Sequence, residues 1–243
     1  MKRLFQWIAV FCIGLVAVPV SAQDGALEVI DRYERVTGLD KLTPADMTSV
    51  MMEVVTETQG RRISMKMIVK EPGKFNVDME IAGQKVKMVF DGSQGWVSVP
   101  GQGVMPMPAE SLEQLRKQTN LSQHYRWNRT DYDYRMAGEV EKDGHTCVGV
   151  EMMPKKAEAQ MIDRTIVYFD KDTGLVAYAF LYITQGGKTV PARMDFTDYK
   201  TFGMLKLPSR YKLLVGGAEM MNMEIKTLEY DYPTTDAMFV RPE

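Results

Sequence analysis

From residue 63 to residue 90 the chain changes chemical character at almost every step. Phe75, Val77, Met79 and Ile81 alternate with Asn76, Asp78 and Glu80. Met65, Met67 and Val69 alternate with Ser64, Lys66 and Lys70, and Val86, Met88 and Phe90 alternate with Lys85 and Lys87. Successive side chains of a strand point to opposite faces, so this rhythm requires extended chain with one dry and one wet side. Ile68 breaks the rule on the wet side, where Val89 follows Lys85 and Lys87.

Turn signals separate these runs: Glu71-Pro72-Gly73, Ala82-Gly83-Gln84 and Asp91-Gly92-Ser93-Gln94-Gly95, after which Trp96 opens another short strand. Such regular spacing makes successive strands antiparallel neighbours in a meander and excludes a series of βαβ units. The same pattern resumes at Tyr132–Met136, His145–Met153, Thr165–Phe169, Leu175–Thr184, Val190–Phe202, Leu213–Val215 and Met223–Tyr230, with a strand over Thr48–Thr58 before the first group. About eleven strands are expected.

Two segments depart from period two. Leu27, Ile30, Tyr33 and Val36 recur at helical spacing, with Asp24 as N-cap and Gly38 as the stop, which predicts a helix over Asp24–Val36. Pro100–Pro108 reads as a Gly/Pro/Met loop leading into a second helix through Gln118, with Leu112 and Leu115 on its apolar edge.

The amino terminus reads as a secretory leader. Lys2 and Arg3 precede an apolar run from Trp7 to Val20, and Val20-Ser21-Ala22 offers a small-x-small cleavage site. Residues 1–22 are therefore expected to be a signal peptide and residues 23–243 a single domain. The remaining 28 basic and 32 acidic side chains are interspersed. That balance argues against nucleic acid as a partner and against a polybasic membrane-surface role. Cys147 is the one cysteine beyond the leader, so no internal disulfide is available, and no acylated cysteine is expected.

Catalytic patterns are sparse. His145 and Cys147 share a strand face but lack an orienting third group, so a packed thiol beside a surface imidazole is the favoured reading. No metal-ligand spacing, phosphate loop or nucleophile elbow is present, and neither an enzyme nor a cofactor is expected. Methionine is abundant, with twenty in the chain. An unbranched, polarizable side chain fills an irregular core or lines an adaptable pocket equally well. Copper binding through Met65/Met67, Met105/Met107 or Met221/Met223 is a third possibility.

Several phrases occur in a shared order: Lys70-Glu71-Pro72-Gly73-Lys74-Phe75, Phe90-Asp91-Gly92-Ser93-Gln94-Gly95-Trp96, Tyr168-Phe169-Asp170-Lys171-Asp172-Thr173-Gly174-Leu175, Phe196-Thr197-Asp198-Tyr199-Lys200 with Leu207-Pro208, and Met238-Phe239-Val240-Arg241-Pro242. Together they resemble the outer-membrane lipoprotein-sorting (LolA-like) family, particularly its Bacteroidetes-type variants. Lys74 stands where the family's carriers often have arginine. The resemblance implies a mainly β fold, a curved antiparallel sheet forming a half-open barrel covered by helices, with a cavity for acyl chains. It also implies a soluble periplasmic monomer that carries lipoprotein acyl chains or free lipid between an inner-membrane donor and an outer-membrane acceptor. The alternative is an envelope-stress sensor of the same fold. The expected lining is Met65, Met67, Phe75, Val77, Met79, Val86, Met88, Phe90 and Trp96, with Leu112 and Leu115 on the covering helix.

Overall fold

The computed structural model describes residues 22–58, 60–112, 121, 127–155, 162–185 and 188–242. Helix α1 (Ala22–Thr37) precedes β1 (Ser49–Thr58), β2 (Arg61–Lys70), β3 (Lys74–Ile81), β4 (Gln84–Phe90), β5 (Gly95–Val99) and β6 (Gly103–Pro106). The second group is β7 (Tyr132–Lys142), β8 (His145–Pro154), β9 (Ile162–Asp170), β10 (Val176–Gln185), β11 (Lys188–Phe202), β12 (Leu205–Val215) and β13 (Ala218–Tyr230).

All thirteen strands form one curved, unclosed antiparallel sheet in the order β6-β5-β4-β3-β2-β1-β13-β12-β11-β10-β9-β8-β7. Each half is a meander. The halves join where β1 pairs with β13, placing Val50 opposite Tyr230. Consequently β6 and β7, neighbours in sequence, occupy opposite edges, and the chain between them must pass from one edge to the other.

Thirteen strands are present among the described residues, where about eleven were expected. Strand β6 lies in the stretch read as a loop; its Pro106 is tolerated because β6 is an edge. Strand β12 begins at Leu205, well before Leu213, and contains Pro208. Pro208 pairs with Tyr199 of β11. The β13 ladder stops at Arg210, so the missing N–H of Pro208 interrupts no bond on that side.

The inner face of the sheet carries most of the core. Helix α1 packs there against β7–β10, burying Ala26, Ile30 and Tyr33 with Tyr134, Val150, Val167, Phe169 and Ala179. Ala26, Ile30, Tyr33 and Thr37 follow a 4-3-4 spacing, which turns Val36 away from the sheet and leaves it 39% exposed. Gly38 ends the helix at φ 80°, where a Cβ would stand 2.8 Å from the Met204 carbonyl oxygen. Leu42 and Met47 then cover Leu205 at the next part of the sheet.

The outer face has its own cover. Phe239, in the 3-10 turn Asp236–Phe239, is 1% exposed against Met51, Ile68 and Val89. This carboxy-terminal strap explains the exception at Ile68, and Val89 with it: both are apolar on the outside because Phe239 covers them. The Asn76 side-chain amide donates to the Met238 carbonyl (2.6 Å) and pins the strap to β3.

Candidate functional site

Strand register assembles the inner face of β2–β5 row by row. Met65 lies opposite Met79, and Met79 opposite Val86. Met67, Val77, Met88 and Val97 form the next row. Val69, Phe75, Phe90 and Gly95 form the third. Val69, Phe75, Val77 and Phe90 are buried, and Phe75 and Phe90 stack at a tilt, 5.9 Å between centroids. Met65, Met67, Met79 and Met88 surround this cluster and are only half-buried.

The chain leaving β6 caps the buried end. Met107 and Leu112 pack against Phe75 and Phe90, and the Met107 N–H donates to the Gly95 carbonyl (2.8 Å). Leu121 touches both this cluster and the one around Leu205. Trp127 reaches the α1 half, 6.1 Å from Tyr33 and 5.6 Å from Phe169 between ring centroids. Leu112, expected on a covering helix, packs against this cluster, whereas Leu115 lies outside the described residues.

Trp96 does not join its expected companions. It pairs with Val89, so it points outward and packs against the cluster of Met51, Ile68, Val89 and Phe239. The turn Asp91–Gln94 has four residues, an even number, so the inner face passes from the even-numbered residues of β4 to the odd-numbered residues of β5. Val97 takes the inner position that Trp96 was expected to fill.

The apolar face continues beyond the expected residues onto β1, β13 and β12. Met52 and Val54 lie opposite Met67 and Met65. Val54, Phe202 and Ile225 form a buried cluster edged by half-buried Met223 and Tyr211. Among the described residues, α1 covers one flank of the inner face and Met107–Leu112 the other, with this Met-rich strip between them. The β1 contribution was illegible because Val50-Met51-Met52 is apolar on both faces, the outer one again for the strap.

The outer side of β1–β4 carries a groove of about 480 Å³. Its walls are the row Glu53–Lys66–Asp78–Lys87 and the row Val55–Ser64–Glu80–Lys85. Ion pairs Lys87–Asp78 (2.8 Å) and Lys66–Glu53 (3.6 Å) tie the first row together, and Lys66 sits over the outward-facing Tyr232 ring. Val54, Met65, Met79 and Val86, the row between these two, also line it, so charged walls stand over a largely apolar floor.

The other chemistry weighed from sequence resolves into structure-building roles. His145 Nδ1 lies 3.0 Å from Asp170 Oδ2. Cys147, opposite Asp170, is 1% exposed, and burial together with the neighbouring carboxylate pushes its thiol up. That is the reverse of an activated nucleophile. Asp170 itself accepts the Thr173 N–H and hydroxyl, each at 2.7 Å, just as Asp91 accepts the N–H groups of Ser93 and Gln94 at 2.7 Å. The two "F-D" phrases are therefore turn-capping devices. Among the described residues no group of three or more His, Cys, Asp or Glu side chains could hold a metal ion. No described helix is long and apolar enough to cross a membrane.

No protein-family model matches the chain, and no curated protein matches it. Solved structures do. A DUF1329 family protein from Desulfovibrio piger superposes with a TM-score of 0.57 at 19% identity, over 88% of this chain and 97% of that one. A domain from Vibrio parahaemolyticus, provisionally assigned to outer membrane lipoprotein sorting, gives 0.52 at 11% identity over 89% and 97%. A LolA superfamily protein from Nitrosomonas europaea gives 0.51 at 12% identity, also over 89% and 97%. These likenesses establish the fold: a LolA-like open barrel.

Proposed function

We propose that this protein is a non-enzymatic periplasmic carrier that holds acyl chains of lipoproteins or lipids on the inner face of its half-barrel. The reading rests chiefly on one observation: Met65, Met67, Met79 and Met88 are half-buried on an apolar face that continues from the end capped by Met107 and Leu112 toward the flank covered by α1. Burying each methylene contributes about 0.8 kcal/mol, so chains of lipid length bind without any charged anchor. Methionine suits a surface that must adapt to chains of differing shape. Because the attraction is non-directional, cargo can pass to a tighter acceptor without an energy source. Cleavage after Ala22 would release residues 23–243 as the working domain, a soluble monomer exchanging cargo between an inner-membrane donor and an outer-membrane acceptor.

Native mass spectrometry of protein purified from its own envelope tests the reading directly. Co-purifying acylated species that Met79→Asp eliminates would support it. Protein that emerges empty and takes up no fluorescent fatty acid would refute it.

A further inference from the structure

Three tyrosines converge on the inner face from different elements. Tyr33 is on α1 and is 8% exposed within the cluster around Phe169. Tyr211, on β12, is half-buried beside Phe196 (5.5 Å between centroids) and lies opposite Met223. Tyr230, the last residue of β13, is half-buried against Leu42, Met47 and Leu205. Each belongs to a different apolar cluster, and the three clusters meet along the strip between the covers.

Their hydroxyls are unlike that of Tyr134, which donates to the Asn128 carbonyl, and that of Tyr199, which donates to the Val176 carbonyl. Those of Tyr33, Tyr211 and Tyr230 donate to no described residue. Nor is any of them among the fully enclosed orphan polar atoms, a condition met among the described residues by Asn76 Oδ1. Among the described residues they stand without a partner inside an otherwise apolar surface. A phenol in such a setting usually finds a partner.

The phenols are close enough that each one's ionisation would affect another, and burial holds all three neutral, with Tyr211 and Tyr230 pushed up to about 12. No described lysine or arginine is among the charges acting on them. A ligand group placed here meets hydroxyl donors and no countercharge. An ionised carboxylate would lose its hydration uncompensated, whereas an uncharged carbonyl needs only a donor.

We propose that Tyr33, Tyr211 and Tyr230 form a hydroxyl site that receives the uncharged carbonyl of an ester- or amide-linked acyl chain, selecting such chains over free fatty acids. This rests on the acyl-carrier reading and adds a polar address to it. Each hydroxyl donates a hydrogen bond to a carbonyl oxygen, and the hydrocarbon beyond runs over Met52, Met67 and Met79.

The experiment uses the domain from residue 23 onward and the displacement of N-phenyl-1-naphthylamine, an uncharged apolar fluorophore. Competitors are a tripalmitoyl-cysteinyl peptide, methyl palmitate, palmitate at pH 8 and hexadecane. The expected order places both carbonyl-bearing neutral ligands ahead of palmitate and hexadecane. Tyr211→Phe and Tyr230→Phe together remove only hydroxyls and should weaken the peptide and the ester about tenfold, leaving hexadecane within about twofold. Tyr211→Phe alone should give an intermediate loss, with thermal unfolding unchanged as the check on folding. Equal losses for ester and hexadecane, an unchanged ester, or palmitate bound best would each overturn the hydroxyl site. If the wild-type domain takes up neither fluorophore nor competitor, the carrier reading fails and the site fails with it.

Discussion

Gly95 and Leu112 share a space that a single methyl group would fill. A Cβ on Gly95 would stand 2.7 Å from Leu112 Cδ2, and equally 2.7 Å from Met107 Sδ. Gly95 is buried at the inner end of β5, in the row with Phe75 and Phe90. The absence of a side chain there lets the segment leaving β6 lie directly on the sheet.

Gly95→Ala should therefore loosen that cover. Both close atoms are the far ends of flexible side chains that can swing aside, so the cost should fall at the low end of the roughly 1–3 kcal/mol of overpacking, read as a slightly lowered urea midpoint. A midpoint equal to that of the parent would mean the Met107–Leu112 segment is not held against β5.

A charge on the dry strip should abolish guest binding without unfolding the chain. Met79 is half-buried, so Met79→Asp can hydrate its carboxylate in the empty protein, but a bound chain would strip that water away. Titration with a fluorescent fatty acid is expected to show at least tenfold weaker uptake, with far-UV dichroism unchanged. Met79→Leu should bind like the parent.

The two faces should respond independently. Phe239→Ala empties a fully buried site under the strap and should cost about 3–5 kcal/mol of stability. Because Phe239 lies outside the sheet, ligand affinity measured well below the unfolding temperature should stay within about twofold. A large loss of affinity would show that the strap and the inner face are coupled.

Acid should weaken the turns that end β4 and β9. Burial raises the carboxyls of Asp91 and Asp170, but hydrogen bonds from Gln94 and Ser93, and from Thr173, outweigh it and hold both below the ordinary aspartate value. A carboxyl depressed in the folded state stabilises above its unfolded pKa of about 3.9, and that contribution disappears as pH falls through the folded value. Asp91→Asn with Asp170→Asn should lower stability at pH 7 and flatten the decline between pH 5 and pH 2. A double variant whose urea midpoints track the parent at every pH would refute this.

Cys147 should be inert in the folded protein. It is 1% exposed and its thiol is pushed up, so a thiol-specific reagent at pH 8 should label it only in denaturant. Rapid labelling under native conditions would contradict its placement against Asp170.

The sequence by itself determined a great deal about this protein. Alternation from Ser64 to Phe90 specified the strands, their inner faces and the antiparallel neighbours, because side-chain direction in a strand has a fixed period of two. Gly38 and the helical spacing of Leu27, Ile30 and Tyr33 specified α1, although Val36, read on the same face, is exposed, and the two Asp-centred turns were legible from their side-chain chemistry. Only the tertiary structure decided what long-range pairing controls. The β1–β13 junction joins residues nearly the whole chain apart, and no local period encodes it. The fate of Trp96 depended on the phase carried through one turn, and the apolar outer residues Ile68 and Val89 made sense only once Phe239 arrived from the far end of the chain. The hydroxyls of Tyr33, Tyr211 and Tyr230, without a partner among the described residues, likewise became a group only when a helix and two strands met. Their sequence neighbours could not reveal it, since hydrogen bonding and burial are set by what packs nearby in space.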